Sequence, residues 1–123
     1  MKQKKYKPFR ANWQNLYTIL ISVWLMDFWT TVLALNLPRF KGVLTELNPL
    51  GNYFFSLGWW GYAIAFIYSF ITIFCLSFFS CKLINRLKNE DFRANLYYGI
   101  MFLFILLEGN AIYNNIIMMM RFW

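Results

Sequence analysis

Asp27-Phe28-Trp29-Thr30-Thr31 sits in the middle of an apolar run that covers residues 16–37. A helix needs about 20 apolar residues to cross the hydrocarbon core of a bilayer, so a run of this length can span it. The run carries one carboxylate near its centre. An ionisable group at that depth is costly and is normally turned toward a partner. The remainder of the chain can be searched for what makes Asp27 tolerable.

The totals agree with a membrane solvent. Of 123 residues, 60% are hydrophobic, 23% aromatic and only 14% charged. Soluble domains carry about 25% charged residues. A soluble fold this short could not hide so much apolar surface, and one membrane domain over residues 1–123 is expected. Twelve Lys and Arg stand against five Asp and Glu, for a net charge of +7. In a soluble protein that balance would suggest nucleic acid. Here the cations flank apolar runs, so membrane topology and anionic lipid head groups explain them better, and no nucleic-acid partner is expected. There is no His. The commonest metal ligand and the usual general base are therefore missing, and the Ser residues have no base nearby, so no enzyme activity, cofactor or metal is expected. Cys75 and Cys81 lie six apart in one apolar run, which fits small packing residues rather than a zinc or redox pair.

Lys2, Lys4, Lys5, Lys7 and Arg10 precede the first apolar run. A cleaved signal peptide begins in the same way, but this run is too long, Asp27 interrupts it, and no small-x-small site follows; a retained anchor is expected. Helix 1 is expected over residues 15–37, with Trp13 and Tyr17 at the interface and Pro38 as its stop. Arg39, Lys41 and Gly42 then mark the far interface. Asn48-Pro49 reads as a helix start, so residues 43–57 are an interfacial segment that can hold a short helix ending at Gly58. Helix 2 is expected over residues 59–83 without charge until its end. Gly61, Ala65, Ser69 and Thr72 make its close-contact stripe, and Phe66, Phe70, Ile73 and Phe74 face lipid or a neighbour. Residues 82–93 form a basic connection in which Asn89 or Asp91 can cap the next helix. Helix 3 is expected over residues 94–120, followed by the interfacial anchor Arg121-Phe122-Trp123. Three spans place nine basic residues on one side and three on the other. The positive-inside rule then gives a cytoplasmic N-terminus and an outside C-terminus in the cell membrane.

Asp27 and Glu108 are the two carboxylates inside expected spans. Counted from residues 15 and 94, they lie roughly 18 and 21 Å along their helices, close to one depth. Two ionised carboxylates together repel, and no Lys or Arg lies at that depth, so a proton, an ion or another chain must neutralise them. Thr30 and Thr31 share a face with Asp27. On helix 3, Glu108, Ala111, Ile112 and Asn115 share one face. Asn110 and Asn114 lie roughly 140° around. Helix 3 is thus polar on two sides, one for helix 1 and one for a neighbour chain or a wet cavity. A polar file from Asp27 and Glu108 through Thr31, Asn114 and Asn115 toward Glu46 and Asn48 would make a half-channel. The plainer alternative is that these groups only join helices, at about 0.6 kcal/mol per hydrogen bond.

Asp27-x-x-Thr30-Thr31, then Thr45-Glu46-Leu47-Asn48-Pro49-Leu50-Gly51, then a basic connection and a last helix carrying Asn114 or Asn115, resembles an uncharacterised family of small prokaryotic polytopic membrane proteins, a domain of unknown function. The resemblance covers roughly residues 16–118. It implies that Asp27, Thr31, Glu46, Asn48 and Pro49 are signature positions, and it carries over no activity. Glu108 is not part of that pattern. The expected fold is an all-α membrane bundle with three transmembrane helices. The expected role is an accessory or structural subunit of a larger membrane complex, whose partners are lipids and other membrane chains or itself. The alternative is a small oligomeric transporter of protons, cations or small solutes that uses Asp27 and Glu108.

Overall fold

The computed structural model describes residues 5–36, 53 and 56–122. It is all-α, with α1 over Trp13–Asn36, α2 over Trp59–Ile84 and α3 over Glu90–Phe122. Each helix is long and apolar enough to cross a membrane, so the chain is a multi-pass membrane protein. The expected stop at Pro38, Arg39, Lys41, Glu46, Asn48, Pro49 and Trp123 all lie outside the described residues. So does most of the expected 43–57 segment, although Tyr53 and Ser56 are helical and the Ser56 hydroxyl donates to the Tyr53 carbonyl at 2.6 Å.

The central element is α1. It packs along both other helices, whereas α2 and α3 barely touch each other. Along α2 it runs antiparallel. Asn36 near its end donates to the Tyr62 hydroxyl at 3.1 Å, and Trp13 at its start meets the ring of Phe78 at 5.6 Å. Along α3 it runs parallel. The Tyr97 hydroxyl donates to the Asn12 carbonyl at 3.1 Å at one end, and Asn115 reaches Thr31 at 2.9 Å further along.

Short polar side chains set the helix starts. The Asn12 side-chain oxygen accepts from the backbone N–H of Gln14 at 2.9 Å and of Asn15 at 3.4 Å. This satisfies donors that a helix start leaves without intrahelical partners, so α1 begins at Trp13, two residues earlier than expected. Asn89 caps α3 in the same way, accepting from Phe92 N–H at 3.1 Å. The acids Glu90 and Asp91 then fall in the first turn, where they complement the helix dipole. The helix therefore starts four residues before 94. Gly58 precedes α2 with φ 72° and ψ −145°, a backbone conformation that is nearly confined to glycine.

Two expectations for α2 are corrected. Thr72 is exposed, its hydroxyl bonded back to Tyr68 O at 2.8 Å, and the buried stripe instead runs through Gly61, Ala65, Ile73, Ser77 and Cys81. Phe66, Phe70 and Ile73 do not form a separate lipid face. Ile73 is buried, and Phe66 and Phe70 lie 5.9 and 6.2 Å from the ring of Trp24. Phe74, though partly exposed, meets Trp13 at 5.4 Å and Tyr17 at 5.9 Å. The reason is size. The indole and phenol groups of α1 reach past the small-residue seam and cover a wider arc of α2 than close backbone packing alone would.

Residues 5–12 are not helical and form a strap across the turn between α2 and α3. Tyr6 donates its hydroxyl to the Glu90 carboxylate at 2.8 Å, and Phe9 N–H donates to the same group at 2.6 Å. Asn85 bonds both sides of the Ala11 peptide unit, accepting from N–H at 2.8 Å and donating to the carbonyl at 3.0 Å. Arg93 donates to the carbonyls of Leu87 at 2.7 Å and Phe9 at 3.1 Å. The backbone of this extended segment thus finds its partners in side chains of the turn.

Candidate functional site

Asp27, Thr30 and Thr31 occupy one face of α1 because three and four residues separate neighbours on a helix surface. That face meets Asn115 of α3. The Asn115 side-chain amide lies 2.9 Å from Thr31 Oγ1, 3.2 Å from Thr30 Oγ1 and 3.2 Å from Asp27 Oδ1. Thr31 Oγ1 also lies 3.4 Å from Asp27 Oδ1.

The donors and acceptors balance. Thr30 spends its proton on its own helix, on the carbonyls of Met26 at 2.9 Å and Asp27 at 3.0 Å, so its oxygen is left to accept from Asn115. Thr31 gives its proton to the Asp27 carboxylate and accepts from the amide. The two N–H bonds of Asn115 are shared among three oxygens. The carboxylate thus receives neutral donors from two helices. Thr31 is buried, and Asp27, Thr30 and Asn115 are half-buried at the seam. The arrangement joins α1 to α3 and fixes their register; its chemistry is that of a hydrogen-bonded clamp.

Glu108 does not share Asp27's level. The bonds of Asn115 pair α3 residues with α1 residues 84 to 88 positions earlier. On that offset Glu108 stands opposite residues 20–24 of α1, roughly one to two turns from Asp27. The expected common depth came from counting along each helix from its own start. The two starts are not level, because Tyr97 and not Glu90 stands beside Asn12. Glu108 is half-buried on the side of α3 that faces α1, with its Oε2 atom enclosed.

The second polar side of α3 is present as well. Asn110 and Asn114 are exposed, as are Leu103, Leu107 and Tyr113. Among the described residues neither side-chain amide of this pair makes a hydrogen bond. Glu46 and Asn48, the outer end of the expected half-channel, lie outside the described residues. Among the described residues no three His, Cys, Asp or Glu gather as a metal-ligand group.

No family model, no curated protein and no solved structure matches the chain.

Proposed function

We propose that the chain is a small subunit of a larger membrane assembly, held there through α3. The carrying observation is the exposed pair Asn110 and Asn114, one turn apart and within the span. A primary amide in hydrocarbon without a hydrogen bond costs about 4–8 kcal/mol on an alkane scale. That exceeds what the Asn115 clamp contributes at about 0.6 kcal/mol per bond. A protein neighbour that supplies donors and acceptors removes the cost; lipid tails cannot. The pair also lies within a seam. Leu103, Leu107, Asn110, Asn114 and Ile117 recur at alternating spacings of four and three, the pattern of a helix–helix interface with a polar register pin.

The shape of the molecule agrees with this role. A bundle whose flanking helices scarcely meet leaves wide apolar faces for other chains. In this reading the basic strap side is cytoplasmic, the C-terminus lies outside, the membrane is the cell membrane, and the chain performs no catalysis. Proton or cation transport past Asp27 and Glu108 is less well supported, because Asp27 is engaged by Asn115 and the register separates it from Glu108.

A photo-crosslinking residue at position 114, activated in native membranes, tests the proposal. Adducts to a protein chain of defined mass are expected, with far fewer from a probe at Ile116, an exposed position on roughly the opposite face. Lipid adducts alone at both positions would refute it.

A further inference from the structure

A cleft of about 550 Å³ opens between the start of α1 and the end of α2, under the strap. Arg10, Asn12, Lys82 and Asn85 are its polar lining, and Trp13 and Phe78 its aromatic wall. Among the described residues, neither Arg10 nor Lys82 makes an ion pair or a side-chain hydrogen bond. The carboxylate nearest in sequence to Lys82, Glu90, is occupied by Tyr6 and Phe9. The cleft therefore presents two uncompensated cations.

Its position matters as much as its charge. Trp13 is the first residue of α1, so the cleft lies where the apolar span begins. From its aromatic wall an apolar track continues into the span. Trp13 packs edge-on against Phe74 at 5.4 Å and Phe78 at 5.6 Å, Phe74 and Phe78 stack at 6.0 Å, and Tyr17 meets Phe74 at 5.9 Å. A soluble anion has no use for such a track. A lipid does, because its phosphodiester stays at the interface while its acyl chains run inward.

From this geometry we infer that the cleft is a binding site for the head group of an anionic phospholipid. Arg10 supplies a planar fork suited to two phosphate oxygens, and Lys82 supplies a point charge. The Asn12 side-chain NH2, whose amide oxygen caps α1, is left as a donor for the glycerol oxygens, Asn85 is spent mainly on Ala11, and Trp13, Phe74 and Phe78 carry the first part of a chain. Basic pockets between spans are the usual form of such sites. The strap is what makes this one a pocket. By holding Ala11 against Asn85, it places Arg10 at the mouth. This inference does not depend on the proposed subunit role.

The test is native mass spectrometry of the detergent-solubilised full chain with phosphatidylglycerol and phosphatidylcholine of matched chains, and separately with inorganic phosphate. Retained phosphatidylglycerol adducts are expected in preference to phosphatidylcholine. Arg10→Gln/Lys82→Gln should weaken retention about thirty-fold, equivalent to about 2 kcal/mol for two interfacial cations. Lys5→Gln/Lys7→Gln removes the same charge from the strap outside the cleft and should leave retention unchanged. Circular dichroism checks that each variant is folded. If the double variant does not fold, Lys82→Gln alone, at an exposed side chain, should still lose about fivefold. Equal loss in both double variants, no preference between the two lipids, or inorganic phosphate held as tightly as phosphatidylglycerol would each overturn the site.

Discussion

The amide of Asn115 on α3 donates to the carboxylate of Asp27 on α1 across 3.2 Å, and the same amide reaches Thr31 at 2.9 Å. This one contact converts the most expensive residue of the first span into the point that aligns two helices. Asn115→Leu removes the donor and leaves a half-buried carboxylate short of a partner, at a cost of about 1–3 kcal/mol. Thermal unfolding of the solubilised protein should show a lower midpoint for Asn115→Leu. The Asp27→Leu/Asn115→Leu double variant should recover part of that loss, with a coupling of about 1 kcal/mol. Additive losses would show that the two residues do not act together.

Ser77 offers a contrast. Its side chain is fully buried on α2, and its hydroxyl has no hydrogen-bond partner among the described residues. Burying a hydroxyl without a bond costs about 1–3 kcal/mol by protein mutation data. Ser77→Ala keeps the small size that the α1–α2 seam requires and removes the polar atom. Its unfolding midpoint should be equal to or higher than that of the parent, by up to about 1 kcal/mol in stability. A clear loss would show that Ser77 does more than fill space.

The strap carries a pH dependence through Tyr6. Its hydrogen bond to the Glu90 carboxylate raises the phenol above the ordinary tyrosine value of 10.0, with desolvation and the Glu90 charge acting in the same direction. A group whose folded-state value is raised stabilises the fold fully below its unfolded value. That contribution is lost as pH rises through the folded value. The strap should therefore be held through neutral and mildly alkaline pH and loosened in strong alkali. Limited proteolysis across pH reads its release. Tyr6→Phe should remove the alkaline transition, and Glu90→Gln should move it back toward the ordinary value.

The three spans were legible because length and hydropathy decide them, and because Gly58 and Asn89 punctuate the chain with residues whose local chemistry is specific; the cap at Asn12 was not read, and α1 begins two residues before the expected start. The polar clamp was legible in its members but not in its pairing. Asp27, Thr30, Thr31 and Asn115 all stood out, yet depth counted along separate helices has no common origin: Asp27 and Glu108 read as nearly level, whereas the register brings Asn115 to Asp27 and sets Glu108 roughly one to two turns away. The strap was not legible as structure. Lys5, Lys7 and Arg10 read as a topology signal, and the contacts that order residues 6–11 come from Asn85, Glu90 and Arg93, about 80 residues away in sequence. The pairing of an acidic first turn at Glu90 and Asp91 with a basic N-terminal segment was the available hint. The aromatic faces of α2 were misassigned because periodicity reports direction around a helix and says nothing about how far a neighbouring Trp or Tyr reaches.

The subunit proposal rests on the exposed amides of α3, and one measurement bears on it most directly. It is the mass of the particle obtained by gentle solubilisation from native membranes, for the parent and for Asn110→Leu/Asn114→Leu. The parent should migrate in an assembly well above the 14.9 kDa single chain. The variant should fall to the single chain while keeping its helical content, since replacing exposed amides by Leu does not disturb the fold of a lipid-facing helix. A parent particle of one chain, or a variant particle of undiminished mass, would contradict it.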